Sequence, residues 1–209
     1  MRIRTQFLLS ACLISLHPFA LSAEDAQAPK DLHLTCENPV SRTDTAQSLR
    51  QRFGNLAQIE EIDGAEGETQ KVLVLFAKQA SSAYRVEVFF SDLEMKKVAG
   101  LRVNTEKGLW SYNGLKIGDA IQSVEKANGK PIQLFGFGWD YGGHVVSLQG
   151  GTLAANKPGC QMHLRFNIND SKRPSQSIMG DKKIKSNMPE LKRVGAYLSE
   201  ISLNFSNKP

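Results

Sequence analysis

Apolar and polar positions alternate most clearly over residues 84–90 (YRVEVFF), where Tyr84, Val86 and Val88 oppose Arg85 and Glu87. That period of two predicts a strand with two unlike faces. The same alternation recurs over 161–168, where Met162, Leu164 and Phe166 oppose Gln161, His163 and Arg165, and over 198–205, where Ile201, Leu203 and Phe205 oppose Ser202 and Asn204. The runs 71–77 (KVLVLFA), 98–103 (VAGLRV), 132–135 and 144–148 are also β-rich and predict further strands. Two segments keep the helical period instead. In 43–52 (TDTAQSLRQR), Thr43 or Asp44 supplies a cap, Leu49 and Phe53 fall four apart, and Gly54 stops the helix. In 119–128 (DAIQSVEKAN), Asp119 supplies the cap, Ile121 and Val124 share a face, and Gly129 ends it.

A helix closed by glycine and then several short-linked strands thus occurs twice, with little residue identity between the halves. The pattern predicts an α+β fold: an antiparallel sheet built from two helix-then-meander units, residues 35–109 and 110–209, with the helices on one face. At 209 residues both units fit in a single compact domain.

The N-terminus has a different character. Arg2 and Arg4 precede an apolar run from Phe7 to Leu16, Pro18 breaks it, and Leu21-Ser22-Ala23 offers a small-residue cleavage site. This predicts a secretory signal peptide over 1–23, a periplasmic or secreted mature protein, and a polar, flexible lead-in over 24–34. The run is too short for a membrane anchor, which needs about 18 apolar residues. Leu9-Ser10-Ala11-Cys12 resembles a lipobox, and lipidation at Cys12 is the competing reading. Against it, the apolar run continues past the cysteine through Leu16.

Processing changes two inferences. Loss of Arg2 and Arg4 takes 26 basic residues to 24 against 21 acidic, so a formal charge of +5 becomes +3. That bias is too small for a nucleic-acid binder, whose basic residues form a stripe. The cysteines fall from three to Cys36 and Cys160, which in an oxidising compartment are expected to pair, the alternative being two buried free thiols.

The segment GLKIGDAIQSVEKANGKP, through Gly114, Gly118, Val124, Gly129 and Pro131, resembles the helical opening of the repeat in the SmpA/BamE outer-membrane lipoproteins and in beta-lactamase-inhibitor-protein-like domains. Residues 114–143, with the run GFGWDYGG, and the closing EISLNF are similar to a proteobacterial family of exported proteins of unknown function. The resemblance implies an envelope location and no particular activity.

The candidate chemistry gathers in Gly136-Phe137-Gly138-Trp139-Asp140-Tyr141-Gly142-Gly143; nine of the 17 glycines lie between Gly114 and Gly151. Flat amphipathic rings on a glycine-rich loop suit stacking on a sugar or seating another protein's side chain, so Phe137, Trp139, Asp140 and Tyr141 form the candidate binding set. The competing structural reading has Trp139 and Phe137 plugging the core while Asp140 bonds turn amides. The expected partner is an envelope protein or glycan. No phosphate-binding loop, Gly-x-Ser-x-Gly elbow or His-Glu-x-x-His is present, and no cofactor is expected. The rival function is a hydrolase using Asp140 and His144 as an acid–base pair; a two-histidine metal site from His144 and His163 is a further alternative. Residues 63–68 (DGAEGE) suit a hairpin turn more than a calcium loop. Residues 170–193 carry seven basic and three acidic side chains, which suits either a solvated loop or an anionic partner.

Overall fold

The computed structural model describes residues 29–64, 67–77, 82–155 and 159–205. The signal peptide predicted over 1–23, with Cys12, and the start of the expected lead-in lie outside the described residues.

The fold is α+β. Strands β1 (Ala57–Asp63), β2 (Thr69–Leu75), β3 (Val86–Phe90), β4 (Val98–Val103), β9 (Cys160–Asn167) and β11 (Tyr197–Phe205) form one antiparallel sheet in the order β1-β2-β3-β4-β11-β9. A second sheet holds β10 (Lys183–Lys185), β7 (Gln133–Phe135) and β8 (Val145–Ser147) in that order, and β5 (Ser111–Tyr112) pairs with β6 (Leu115–Lys116). The large sheet is registered by its apolar rows. Leu73 pairs with Val88, Val88 with Leu101 and Leu101 with Leu203, all at most 1% exposed. A one-residue slip would turn that row to the other face. These side chains share one hydrophobic core with Leu49 of α1 (Ala46–Phe53), Ile121 and Val124 of α2 (Ile121–Asn128) and Leu191 of α3 (Pro189–Arg193).

β11 lies between β4 and β9, so the last strand of the chain joins its two halves into one sheet. β7 and β8 leave that sheet for the smaller one, which uses 183–185 as its third strand. β1 was not foreseen: AQIEEID is too acidic to stand out, yet it forms a hairpin with β2 through Asp63 and Thr69. Beside that pair the Gly64 N–H donates to Glu68 O at 2.6 Å.

Both helix caps differ from expectation. Thr45 caps α1, in a reciprocal box with Ser48. Asp44 is occupied instead by Ser41, Ser48 and the Arg52 guanidinium. Ala120, not Asp119, is the N-cap of α2, because Asp119 turns back to accept from Lys116 N–H while the Ile121 N–H reaches Ala196 O. The lead-in ends earlier than residue 34. Leu34 N–H donates to Ser111 O at 2.7 Å and Ser111 N–H to Leu32 O at 2.8 Å, with Leu34 buried.

Residues 170–193 are not an open loop. Ile178, Ile184 and Leu191 enter the core, and Ser186, fully buried, accepts from Ile132 N–H and donates to Glu125. Arg193 donates to Glu190 and to the carbonyls of Lys172 and Arg173, tying the two ends of the segment together. Lys172, Arg173, Lys182, Lys183, Lys185 and Lys192 are left on the surface. Cys36 and Cys160 form a disulfide, with Cα atoms 5.5 Å apart.

Candidate functional site

The aromatic loop leaves β7 at Gly136 and returns to β8 after His144. Its ends approach neighbouring backbone so closely that side chains are excluded. A Cβ on Gly143, at φ 77°, would sit 1.9 Å from Phe166 O; one on Gly136 would sit 2.6 Å from Gly180 O. Phe137 is only 4% exposed, and its backbone exchanges hydrogen bonds with Ile178 O and Gly180 N. It anchors the loop to the core and presents almost no surface, unlike Trp139, Asp140 and Tyr141 of the expected binding set.

Trp139 is half-buried and donates its indole N–H to Gly136 O at 2.8 Å, inside its own loop. Its ring centre lies 5.4 Å from Phe135 and 5.3 Å from Tyr141, and Tyr141 lies 6.3 Å from His144. The result is a continuous aromatic strip ending in Tyr141, which is 55% exposed. Arg165 of β9 holds the strip to the sheet, donating to the carbonyls of Asp140 (3.1 Å) and Gly142 (3.0 Å).

The Asp140 carboxylate is exposed, and no hydrogen bond joins it to His144. Burial holds the His144 imidazole below its ordinary value; Arg165 deepens that shift and Glu200 opposes it. The main charges acting on His144 are thus those of the sheet, not Asp140. Asp140 and His144, the pair expected for a hydrolase, are thus not joined by a hydrogen bond among the described contacts. His163 is likewise lowered by burial, against the pull of Glu200. Among the described residues no three His, Cys, Asp or Glu side chains converge as a metal site.

The outer face of the large sheet carries a feature sequence reasoning missed. Glu60 meets Arg85 at 2.9 Å, Arg85 meets Glu87 at 3.3 Å, Glu87 meets Arg102 at 2.6 Å, and Arg102 lies 3.9 Å from Glu200. Glu87 is almost wholly buried between its two arginines, and Arg102 also lies over the Phe89 ring at 5.0 Å. Burial disfavours the Arg85 charge, but Glu60 and Glu87 outweigh it and raise its pKa. The charged side of 84–90 was the available signal, since Arg85 and Glu87 alternate there with apolar residues.

Where this face meets the aromatic loop, a groove of about 430 Å³ opens, lined among others by Asn104, Trp139, Arg165, Asn167, Ser199 and Glu200. β11 bulges between Leu198 and Glu200. Neighbours on a regular strand point to opposite faces, whereas the extra residue of a bulge lets Ser199 and Glu200 line the same groove. No protein-family model, curated protein or solved structure matches this chain.

Proposed function

We propose that this is an exported binding module of the bacterial envelope, using the loop around Trp139 and Tyr141 as its contact surface. The observation carrying the reading is Tyr141, 55% exposed at the end of an aromatic strip whose backbone is fixed by Arg165 and by two sterically obligatory glycines. Aromatic side chains on a rigid mount contribute contact area at low entropic cost. Export is supported by the charged, apolar and small-residue order of 1–23 and by a disulfide suited to an oxidising compartment. Among the described residues no helix is long and apolar enough to cross a membrane. The duplicated plan belongs to the same proposal: α1 precedes the strands β1 to β4, and α2 precedes β7 to β9. The likeness of GFGWDYGG to an exported proteobacterial family agrees with it.

The test pairs binding with stability. Tyr141→Ala should leave the unfolding midpoint unchanged and reduce capture of envelope protein or glycan, because an exposed side chain adds little to folding. Phe137→Ala should instead cost about 3–5 kcal/mol by opening a core cavity. A Tyr141→Ala protein that captures envelope components as wild type does would refute the contact surface.

A further inference from the structure

Resting on that reading, we infer that the groove between Trp139 and the bulged strand β11 is a subsite for a neutral, polyhydroxylated ligand, a short saccharide. Three features select this chemistry. The first is the mixture of residues in one place: Trp139 lines the wall beside Asn104, Asn167, Ser199, Glu200 and Arg165, the Ser199 hydroxyl donating to Arg165 O at 3.1 Å and the Asn167 Oδ1 accepting from Ile168 N–H. A sugar presents an apolar C–H face and a rim of hydroxyls, each both donor and acceptor. It therefore needs a flat apolar surface next to mixed donors and acceptors.

The second feature is charge. Arg165 and Glu200 oppose one another within the lining, and both are already engaged: Arg165 by the loop carbonyls, Glu200 by the Ser202 hydroxyl at 2.7 Å. The groove therefore offers neither an anion nor a cation a net countercharge. Glu200 nevertheless keeps acceptor capacity, since a carboxylate takes about four hydrogen bonds. The Asn104 amide is exposed and makes no hydrogen bond to any described residue, so its donors and acceptor face outward unspent.

The third feature is shape. The floor comes from the face of the large sheet, through Arg165 of β9 and Ser199 and Glu200 of β11. A peptide strand extends a ladder at a sheet edge, and a face does not offer that mode. At about 430 Å³ the groove falls within the range of small-molecule sites. Of the described lining residues only Glu200 is a carboxylate, so the groove lacks the carboxylate pair that glycoside hydrolysis usually employs. The geometry favours holding a sugar over cleaving it.

The probes are cellotetraose, maltotetraose and tri-N-acetylchitotriose at millimolar concentration, titrated into the disulfide-linked protein. Binding is followed by calorimetry and by chemical-shift changes of the indole N–H signals. At least one should bind and perturb the Trp139 signal while leaving that of Trp110, which is 1% exposed, in place. Asn104→Ala and Glu200→Gln should each weaken it about tenfold or more, the scale of a lost hydrogen bond to a polar or charged group. Asn104→Ala is the variant expected to fold as wild type, since its side chain is exposed and unbonded. No binding by any of the three to the folded protein would overturn the inference, as would binding that Asn104→Ala and Glu200→Gln leave intact. Capture of envelope protein through Tyr141 is scored separately. If capture persists while no saccharide binds, the saccharide subsite falls and the contact loop stands; if both fail, both fall.

Discussion

Arg165 and Asp140 are joined side chain to backbone: the guanidinium on β9 donates 3.1 Å to the Asp140 carbonyl, and its Nε donates to Gly142 O two residues on. One residue of the large sheet thereby fixes the apex of a loop that belongs to the small sheet. Arg165→Ala should cost about 1.5–3 kcal/mol in unfolding free energy, the range for hydrogen bonds from a charged donor, and should speed amide exchange over 139–144. Arg165→Lys should recover less than half of that, because a single ammonium cannot reproduce the two-pronged geometry. Unchanged exchange in the loop of Arg165→Ala would show that the glycine contacts alone hold it.

The buried ladder predicts an asymmetric response. Glu87 lies between Arg85 and Arg102 with its side chain 6% exposed. Glu87→Gln leaves two arginines facing each other without their shared countercharge, and a loss of about 3–5 kcal/mol is expected by denaturant unfolding. Removing Glu60 from the more exposed end should cost under about 1 kcal/mol. Equal costs at the two positions would contradict the ladder.

The disulfide closes a span of 124 residues. Loop-closure entropy then sets an upper guide of about 4–5 kcal/mol for its contribution. Protein produced in an oxidising compartment should show no free thiol when denatured without reductant, and Cys36→Ser should lower the unfolding midpoint by an amount matching a loss of a few kcal/mol. Labelling of both cysteines in the unreduced, unfolded protein would contradict the bond.

Acid should act in two steps. His144 and His163 both titrate below their ordinary value of 6.5 in the folded protein, chiefly through burial. The unfolded chain therefore takes up these protons first, and stability falls as the pH drops below about 6.5. Glu190 is held at about 2, against an ordinary 4.5, first by the Arg193 hydrogen bonds and then by Ser175 N–H. Its contribution is complete above pH 4.5 and is lost as the pH falls through 2, so residues 170–193 should loosen in that lower window. Amide exchange across 170–193 at pH 5 and pH 3 separates the two steps. Arg193→Ala should abolish the lower one.

Which residues could form strands was legible wherever one face is apolar and the other polar. β4 was matched residue for residue, and β9 and β11 within a residue at each end, because burial of Leu164, Phe166, Ile201 and Leu203 imposes the alternation that sequence displays. The helix stops at Gly54 and Gly129 were equally local, since a chain reversal at a helix end is decided by the residue that makes it. β1 was not legible: its outward Glu60 pairs with Arg85 and its ladder depends on β2, so its own composition hardly distinguishes it from a loop. The same holds for β10, three residues made a strand only by pairing with β7.

At the site, sequence alone determined that aromatic rings sit on a glycine-rich loop and singled out Cys36 and Cys160 as the expected pair. The separation of roles among those rings came from tertiary structure: Phe137 buried, Trp139 half-buried against Gly136 O, Tyr141 exposed. So did the meeting of Glu87 with Arg102, fifteen residues apart in the chain. Periodicity records which face of an element is buried. It carries no record of which other element arrives to cover that face, and that choice depends on the packing of the whole core.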